Sequence, residues 1–583
     1  MADTSLIIGN GNWAVKETSL LGYNIIQSKY VPIEMTVSRA TTATRVNSAG
    51  LIEISPKNLL TYSEQFDNAS WNKYDATISA NATISPNGTL TADKLIEGTL
   101  LDIHYTNKNI TNSNSLFSFS VFAKKSERNF LFLQAFATLG NNFAYIPSAY
   151  FNLDNGTLGT VSSATATIQD YGNGWYRCTL NCTSIFPQGS LGVGMYIMPA
   201  TSNENSNYLG NGTSGIFIWG AQAEVGPTAT EYFPTTDRFN IPRVDYLNST
   251  TGSLLVEPTR TNVVSYSEQF DNASWNGVNR IITANVTTAP DNTMTADKFI
   301  PDNTNGAHNI HRTGLASDAY TFSVFAKAGE ETTFSMWLRT ASFGAVFDLS
   351  TGTITSNSAS IIPKIEPYPN GWYRCSVYDA TPGTTAHIYG RSGGGFIGNN
   401  VNGFFIWGAQ AEAGTTVTSY IPTTTIGVTR VADVISKTGI SSLIGQTEGT
   451  LFVDFNFTQN VNTGRLIAIG DGTLTNRATI FLNANTIQVF IRNVSGTQYS
   501  VSSSTILTGR YKVAVRYKQN DFGFYINGVP INTQNSGNLP INLNNFYLAT
   551  SEFGATAAEI QSINSAQLYK TALDNDQCID LTN

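Results

Sequence analysis

Short runs in which apolar and polar residues alternate recur along the chain. They are clearest after about residue 440: 450–457 (T-L-F-V-D-F-N-F), 480–482 with 487–491, 511–517 and 522–526. A period of two puts successive side chains on opposite faces of a strand, so each run predicts a half-buried β-strand. The runs are rich in Val, Ile, Thr, Tyr and Phe and are broken by Asn-Gly, Asp-Gly and Pro, the punctuation of antiparallel hairpins. Apolar spacing of the helical kind is scarce. One short helical turn is expected at 570–577, covering a sheet edge. The fold class read from this pattern is all-β, with the region beyond about 440 an antiparallel sandwich.

The strand pattern is duplicated. Residues 62–72, Y-S-E-Q-F-D-N-A-S-W-N, recur letter for letter at 266–276, an offset of 204 (266 minus 62). The offset then falls: T-A-D-K at 91 and 295 keeps 204, S-V-F-A-K at 120 and 323 gives 203, N-G-W-Y-R-C at 173 and 370 gives 197, and F-I-W-G-A-Q-A-E at 217 and 405 gives 188. A one-residue insertion inside a paired strand would turn its side chains to the wrong face, so the length changes belong to loops and the matched blocks to strands and core turns. This divides the chain into a lead-in (1–57), a first module (58–236), a connector (237–261), a second module (262–425) and a C-terminal sandwich (426–583).

Composition narrows the function classes. Charged residues make up 13% of the 583, about half the usual share, and the net charge is −8. A nucleic-acid groove needs a concentrated basic face, and no basic run interleaved with aromatics occurs. Residues 1–5 are not followed by a basic and then apolar stretch, so no secretory signal is expected, and no apolar run approaches the ~20 residues of a membrane helix. The cysteines Cys178, Cys182, Cys375 and Cys578 read as small buried residues, since they lack the partners of a metal site.

Six of the eight tryptophans are repeat partners. Trp175, Trp219, Trp372 and Trp407 sit in apolar runs and are expected in the core. Trp71 and Trp275 lie in polar N-A-S-W-N turns, where they either staple the turn or present a flat ring to a sugar; they are the candidate glycan contacts. The duplicated acids Glu64/Glu268, Asp67/Asp271, Asp93/Asp297 and Glu224/Glu412 show no spacing that pairs two carboxylates for glycoside hydrolysis. Asp67 and Asp93 are expected to cap turns and the others to form salt bridges. His104 and His308 align, which favours a shared structural role. Gly393-Gly394-Gly395 lacks the Lys-Ser/Thr of a phosphate loop and reads as a flexible loop. No hydrolase, zinc or nucleotide motif occurs, so no catalytic residue, cofactor or metal ligand is assigned.

The motifs in order, N-L-L-x-Y-S-E-x-F-x-N-A-x-W, T-A-D-K-L, F-S-V-x-A-K, N-G-W-Y-R-C and F-I-W-G-A-Q-x-E-x-G with a closing T-x-Y-x-P-T-T, resemble the module of bacteriophage head spike and tail fibre proteins. In the first copy they occupy 58–71, 91–95, 119–124, 173–178 and 217–236. The flanking T-R-V-N-S-A-G-L-I-E at 44–53 and I-P-R-V-D-Y at 241–246 are also similar to phage segments, so the resemblance spans roughly 40–435. It implies tandem jelly-roll modules of carbohydrate-binding type. The residues from about 440 on look like a concanavalin A-like, laminin-G-type sandwich without an E-x-D-x-E catalytic strand at 450–457. The first 40 residues match no known anchor.

The expected protein is therefore a non-enzymatic bacteriophage virion structural protein, a head or tail fibre. Made in the bacterial cytoplasm, it is exposed on the particle, docks on capsid or tail proteins through 1–57 and meets host-surface or environmental glycans at its far end. A homo-oligomer, trimeric on the resemblance, is expected, with no nucleic acid and no membrane insertion. Removal of 1–57 should leave a folded protein. The alternatives are a secreted or virion-borne glycoside hydrolase with carbohydrate-binding modules, and a bacterial surface adhesin.

Overall fold

The structure is a computed structural model of the whole chain. It describes residues 4–583 except 12, 14, 17–18, 27–28, 40, 42, 55–57, 113–116, 140–141, 184–188, 199–206, 226–227, 230–231, 233, 236–241, 339–343, 458–462 and 551–560. Two compact units share the chain, one formed by 56–241 and the other by 1–55 with 242–583. The expected junctions of the first module at 57–58 and 236–237 border or fall on residues outside the described set.

The unit 56–241 is an antiparallel sandwich. One sheet runs Thr157–Ser162, Ser148–Asn152, Phe130–Leu139, Gly189–Met198, His104–Asn112, Asn72–Tyr74, with Asn142–Tyr145 beside Phe130–Leu139. The other runs Ala164–Asp170, Trp175–Cys182, Phe117–Lys125, Gly215–Val225, Ala92–Glu97, Ala76–Thr83. Their inner faces enclose one core that includes Phe66, Trp71, Phe119, Val121, Leu131, Leu133, Phe151, Cys178, Leu180, Met195 and Ile218.

The second module, within the other unit, repeats this plan with one change. Asn309–Lys327 and Trp372–Gly390 are each a continuous strand of 19 residues, where the first module has two strands apiece: His104–Asn112 with Phe117–Lys125, and Trp175–Cys182 with Gly189–Met198. Register shifts between Thr313 and Tyr320 let the long strand pass from one layer to the next, so a single ten-stranded sheet folds over its own core. In both copies the W-G-A-Q block makes a bulge. Gly220 (φ +61) and Gly408 (φ +62) are left-handed, and a Cβ there would lie 3.0 Å from the ring of Phe122 or Phe325.

The rest of that unit is a C-terminal sandwich with two layers. One is ordered Val529–Gln534, Asp521–Ile526, Gly509–Lys518, Glu448–Phe457, Gln561–Tyr569; the other is Val434–Lys437, Asn545–Leu548, Thr463–Gly470, Arg477–Asn483, Thr486–Asn493, Gly496–Thr505. Segments expected to lie apart from it are built in. Thr4–Gly9 pairs with Gln561–Tyr569 and with Ser19–Ile26. Lys29–Ser38 pairs with Ser19–Ile26 on one side and Val434–Lys437 on the other, closing the layers into a barrel. The connector forms a hairpin, Arg243–Asp245 with Ser253–Val256, whose second strand adds to Gln561–Tyr569. Leu6, Ile8, Leu20, Met35, Val37, Leu254 and Val256 all belong to the sandwich core. The lead-in thus supplies interior strands, and its removal can no longer be expected to leave this unit folded.

The helix forms at Asn575–Thr582, five residues later than its expected start, with Asp574 and Gln577 in a reciprocal capping box. It covers a sheet face, not an edge: Leu573 and Cys578 pack on Phe452, Ala514, Tyr525 and Tyr569, from four adjacent strands.

A buried ion network ties these segments together. Arg39 donates to Asp433 at 2.6 Å, Arg243 to Asp433 and to Glu257 (2.6 Å), and Arg430 to Glu257, with every side chain at most 3% exposed. Burial opposes the charge on Asp433, but Arg243 and Arg39 hold its pKa down at about 2. Glu257 is likewise held below the ordinary carboxylate range, against burial, by Arg430 and Arg243. Paired charges of this kind are retained because each partner would be very costly alone.

Candidate functional site

The repeated block 62–72 and its copy 266–276 build a staple over the open end of each sandwich. Trp71 and Trp275 are 1% and 2% exposed, so neither ring is offered to a ligand, contrary to their reading as glycan contacts. Each indole N–H donates to the carbonyl of Tyr62 or Tyr266 at 3.0 Å, and each ring packs against Phe66 or Phe270. A buried cation lies beneath. Lys108 donates to the Thr61 carbonyl, Thr61 Oγ1 and Ser70 Oγ at 2.6–2.9 Å, 5.3 Å from the Trp71 ring. Burial, with nearby Lys73, pushes the Lys108 pKa down to about 8. Arg312 takes its place under Trp275, bonded to Ser265 and Ser274. The turn's polar residues are used internally: Asn68 and Asn272 accept from the backbone N–H of Ser70 and Ser274 at 2.9 Å, and Ser70 also accepts from Lys108.

The duplicated acids are also structural, and they act at longer range than local caps. Asp93 accepts from the backbone N–H of Phe66 and Asn81, both at 2.9 Å, and Asp297 does the same with Phe270 and Asn285. Burial outweighs these bonds and pushes both pKa values up to about 6. Glu268 accepts from Tyr420 and Glu412 from Thr418 and Gln410, donors that are hydroxyls and amides where ion pairs were expected. His104 and His308 are buried and bond to backbone carbonyls, in agreement with a structural role. All four cysteines are free thiols, and burial raises the pKa of each.

The raised Asp93 pKa has a measurable consequence. A carboxyl that holds its proton more tightly folded (about 6) than unfolded (3.8) adds stability that is fully present below the unfolded value and lost as pH rises through about 6. The first module of the intact protein is therefore expected to melt at a higher temperature at pH 5 than at pH 8. Asp93→Asn should remove that part of the difference. An unchanged pH slope in the variant, followed by scanning calorimetry, would show that Asp93 is not its source.

With the staples assigned to structure, the sheet faces turned away from the module cores become the candidate sites. In the first module five strands place one aromatic each in a single row. Tyr74 pairs with Tyr105, Tyr105 with Tyr196, Tyr196 with Phe132, and Phe132 with Tyr150, with neighbouring ring centroids 4.4–5.4 Å apart. Phe132, Tyr150 and Tyr196 are buried, whereas Tyr105 is half-buried and Tyr74 is 46% exposed, so the row opens at one end.

The same face of the second module carries different residues. His311 pairs with His387 and His387 with Trp337; on the next rung Asn309 pairs with Tyr389 and Tyr389 with Ser335. Trp337 and Tyr389 pack in a tilted contact at 4.3 Å, whereas His387 stacks on Tyr389 at 5.5 Å and on His311 at 4.8 Å. His311, Trp337 and Tyr389 are half-buried. Burial lowers both imidazole pKa values, with Arg280 adding to the effect at His311 and His311 at His387, whose pKa falls to about 4. Neither face was legible from sequence, because its members come from strands up to about 120 residues apart in the first module and about 80 in the second. The signal that could have found them is the set of repeat positions where chemistry changes.

A third concavity of roughly 350 Å³ lies on the C-terminal sandwich and is lined by Asn10, Asn248, Thr251, Asp454, Asn456, Arg510 and Asn564, among others. Asp454 accepts both arms of the Arg510 guanidinium (2.8 and 2.5 Å) and the Asn564 amide (3.0 Å).

No protein-family model matches the chain, and no curated protein matches it. Among solved structures the chain is similar to the Ruminococcus gnavus IT-sialidase CBM40, with 16% identity over 24% of this chain and 84% of that one and a TM-score of 0.22. It is also similar to the N-terminal CBM22-1-CBM22-2 tandem domain of Paenibacillus barcinonensis Xyn10C, with 11% identity over 62% of this chain and 98% of that one and a TM-score of 0.20.

Proposed function

We propose that this chain is a non-enzymatic structural protein of a bacteriophage particle, a head or tail fibre or spike, that projects from the virion and binds host-surface or environmental glycans. The observation that carries the phage assignment is the ordered set of five motifs, present twice and followed each time by a closing Pro-Thr-Thr. Glycan binding is supported by the module faces that combine aromatic rings with hydroxyl, amide and imidazole groups, the mixture that accommodates a sugar's C–H face and its hydroxyls together. On this reading the chain assembles as a homo-oligomer, a trimer on the resemblance, and many weak contacts on one particle sum to avidity.

The C-terminal concavity bears on the glycoside hydrolase alternative only for its own lining. Its one lining carboxylate among the described residues, Asp454, is held by Arg510, and no second carboxylate lines the cleft to complete an acid and base pair. The segment that docks on capsid or tail proteins was expected in 1–57. The strands Thr4–Gly9, Ser19–Ile26 and Lys29–Ser38 pair within the sandwich sheets, so docking would use their outward surface.

Antibodies against the recombinant protein are expected to label the periphery of purified particles in electron microscopy, and peptides of the chain should appear in virion mass spectra. Particles that lack both would overturn the phage assignment. Binding of the purified protein to an oligosaccharide array tests the glycan part independently.

A further inference from the structure

The two modules differ in a patterned way. At inward positions of the sheet one apolar residue replaces another: Leu131 corresponds to Phe334, Leu133 to Met336 and Met195 to Ile388, all buried. At outward positions of the same strands the chemistry changes. Tyr74 corresponds to Val278, Tyr105 to Asn309, Asn107 to His311, Phe132 to Ser335, Gln134 to Trp337 and Gly194 to His387, with Tyr196 and Tyr389 kept in common. A face with only a structural duty would drift among apolar residues as the core does.

Two of the introduced groups bury a polar atom without a partner, although the other ring nitrogen of His387 bonds to Thr385 at 3.2 Å. Ser335 is fully buried and His387 is 9% exposed, yet Ser335 Oγ and His387 Nδ1 make no hydrogen bond. A polar atom buried without a hydrogen bond destabilises the fold that holds it. Both groups flank the packed Trp337 and Tyr389 on adjacent rungs. The loop 391–395 walls this patch. Gly393 is left-handed (φ +84), and a Cβ on it would lie 2.6 Å from the Trp337 ring and 3.2 Å from Ser335 Oγ, so only glycine lets the loop approach so closely.

We infer that the second module carries a ligand site absent from the first, formed by His311, Ser335, Trp337, His387 and Tyr389, and that its ligand is a neutral, hydroxyl-bearing ring such as a hexose unit. The inference rests on the glycan-binding reading and assigns it a place. The rings of Trp337 and Tyr389 suit the apolar face of such a ring, and Ser335 Oγ and His387 Nδ1, both closed off from solvent in the free protein, become an acceptor and a donor for its hydroxyls once the ligand displaces the 391–395 loop. The site residues carry no charge at pH 7, which disfavours recognition of an ion.

The test uses the full chain, an array of neutral and acidic oligosaccharides, and titration calorimetry on the neutral oligosaccharide that binds best. Trp337→Ala is expected to weaken that binding roughly tenfold or more. Tyr105→Ala, on the matching face of the first module, should leave it unchanged. Ser335→Ala guards against a folding artefact: because its hydroxyl has no partner in the free protein, the variant should melt at the same or a higher temperature while losing several-fold in affinity. Loss of binding in Tyr105→Ala but not in Trp337→Ala would move the site to the first module and overturn the inference while leaving the glycan reading intact. The same holds if all three variants bind like the wild type. A wild type that binds nothing on the array would overturn the glycan reading and this inference with it.

Discussion

A chain lacking residues 1–38 is expected to lose the fold of its C-terminal sandwich, while the unit 56–241 remains folded. The truncation removes Leu6, Ile8, Leu20, Met35 and Val37 from the sandwich core, each at most 1% exposed. At about 1.5–3 kcal/mol for each buried side chain, the loss amounts to roughly 7–15 kcal/mol. That rivals the whole stability of a typical domain, about 5–15 kcal/mol. It also takes Lys29–Ser38 from beside Val434–Lys437 and exposes the edge of Gln561–Tyr569 that Thr4–Gly9 covers, an invitation to aggregation. The unit 56–241 has its own core and should keep its calorimetric transition and its protease resistance. A truncated chain that shows both transitions of the full-length protein would mean that the N-terminal strands are dispensable. Assembly assays on such truncations would otherwise mistake unfolding for loss of an anchor.

Replacement of Asp433 by alanine is the second large effect expected. The carboxylate accepts from Arg39 and Arg243, both buried, and from the backbone N–H of Glu257 at 3.0 Å. Without it, three buried guanidinium groups face one carboxylate, Glu257. Breaking a buried pair in this way costs about 3–5 kcal/mol, most of it the burden of the unpaired cations. The exposed pair Lys125–Asp154, with both side chains about half exposed, is the control, and Lys125→Ala should cost under about 1 kcal/mol. Urea midpoints of the larger unit, read at constant slope, distinguish the two. Equal midpoints for Asp433→Ala and wild type would show that the network is not needed for stability. The sign with pH also follows. Asp433 is depressed to about 2 when folded, so its contribution is present above the ordinary carboxylate value and is lost as pH falls through 4 towards 2. Asp93 and Asp297 act in the opposite sense between pH 4 and 7.

These two effects share a cause that a linear reading could not reach. The lead-in and connector look like separate segments because they flank the repeats, and strand propensity is silent about which strands pair. Arg39, Arg243, Glu257, Arg430 and Asp433 span almost 400 positions, and no spacing rule relates them. The same holds for Trp71 and Trp275. Polar neighbours suggested exposure, yet Asn68 and Asn272 are spent on the turn's own backbone, and Ser70 also bonds the cation Lys108 beneath the Trp71 ring.

The sequence by itself determined the all-β class, the duplication and the identity of much of the core. Period-two alternation is dictated by strand geometry, and the strings kept between copies are those whose shape the sandwich cannot vary, such as the W-G-A-Q bulge. Only the tertiary structure decided that the chain's first strands complete its last domain, because strand pairing is settled by burial of a shared core and not by order along the chain. It alone also separated the scaffold from the faces. Residues brought side by side by register, His311 with His387 and Trp337, are distant in sequence, and the contrast with Asn107, Gly194 and Gln134 acquires meaning only once both sets are seen on the same face.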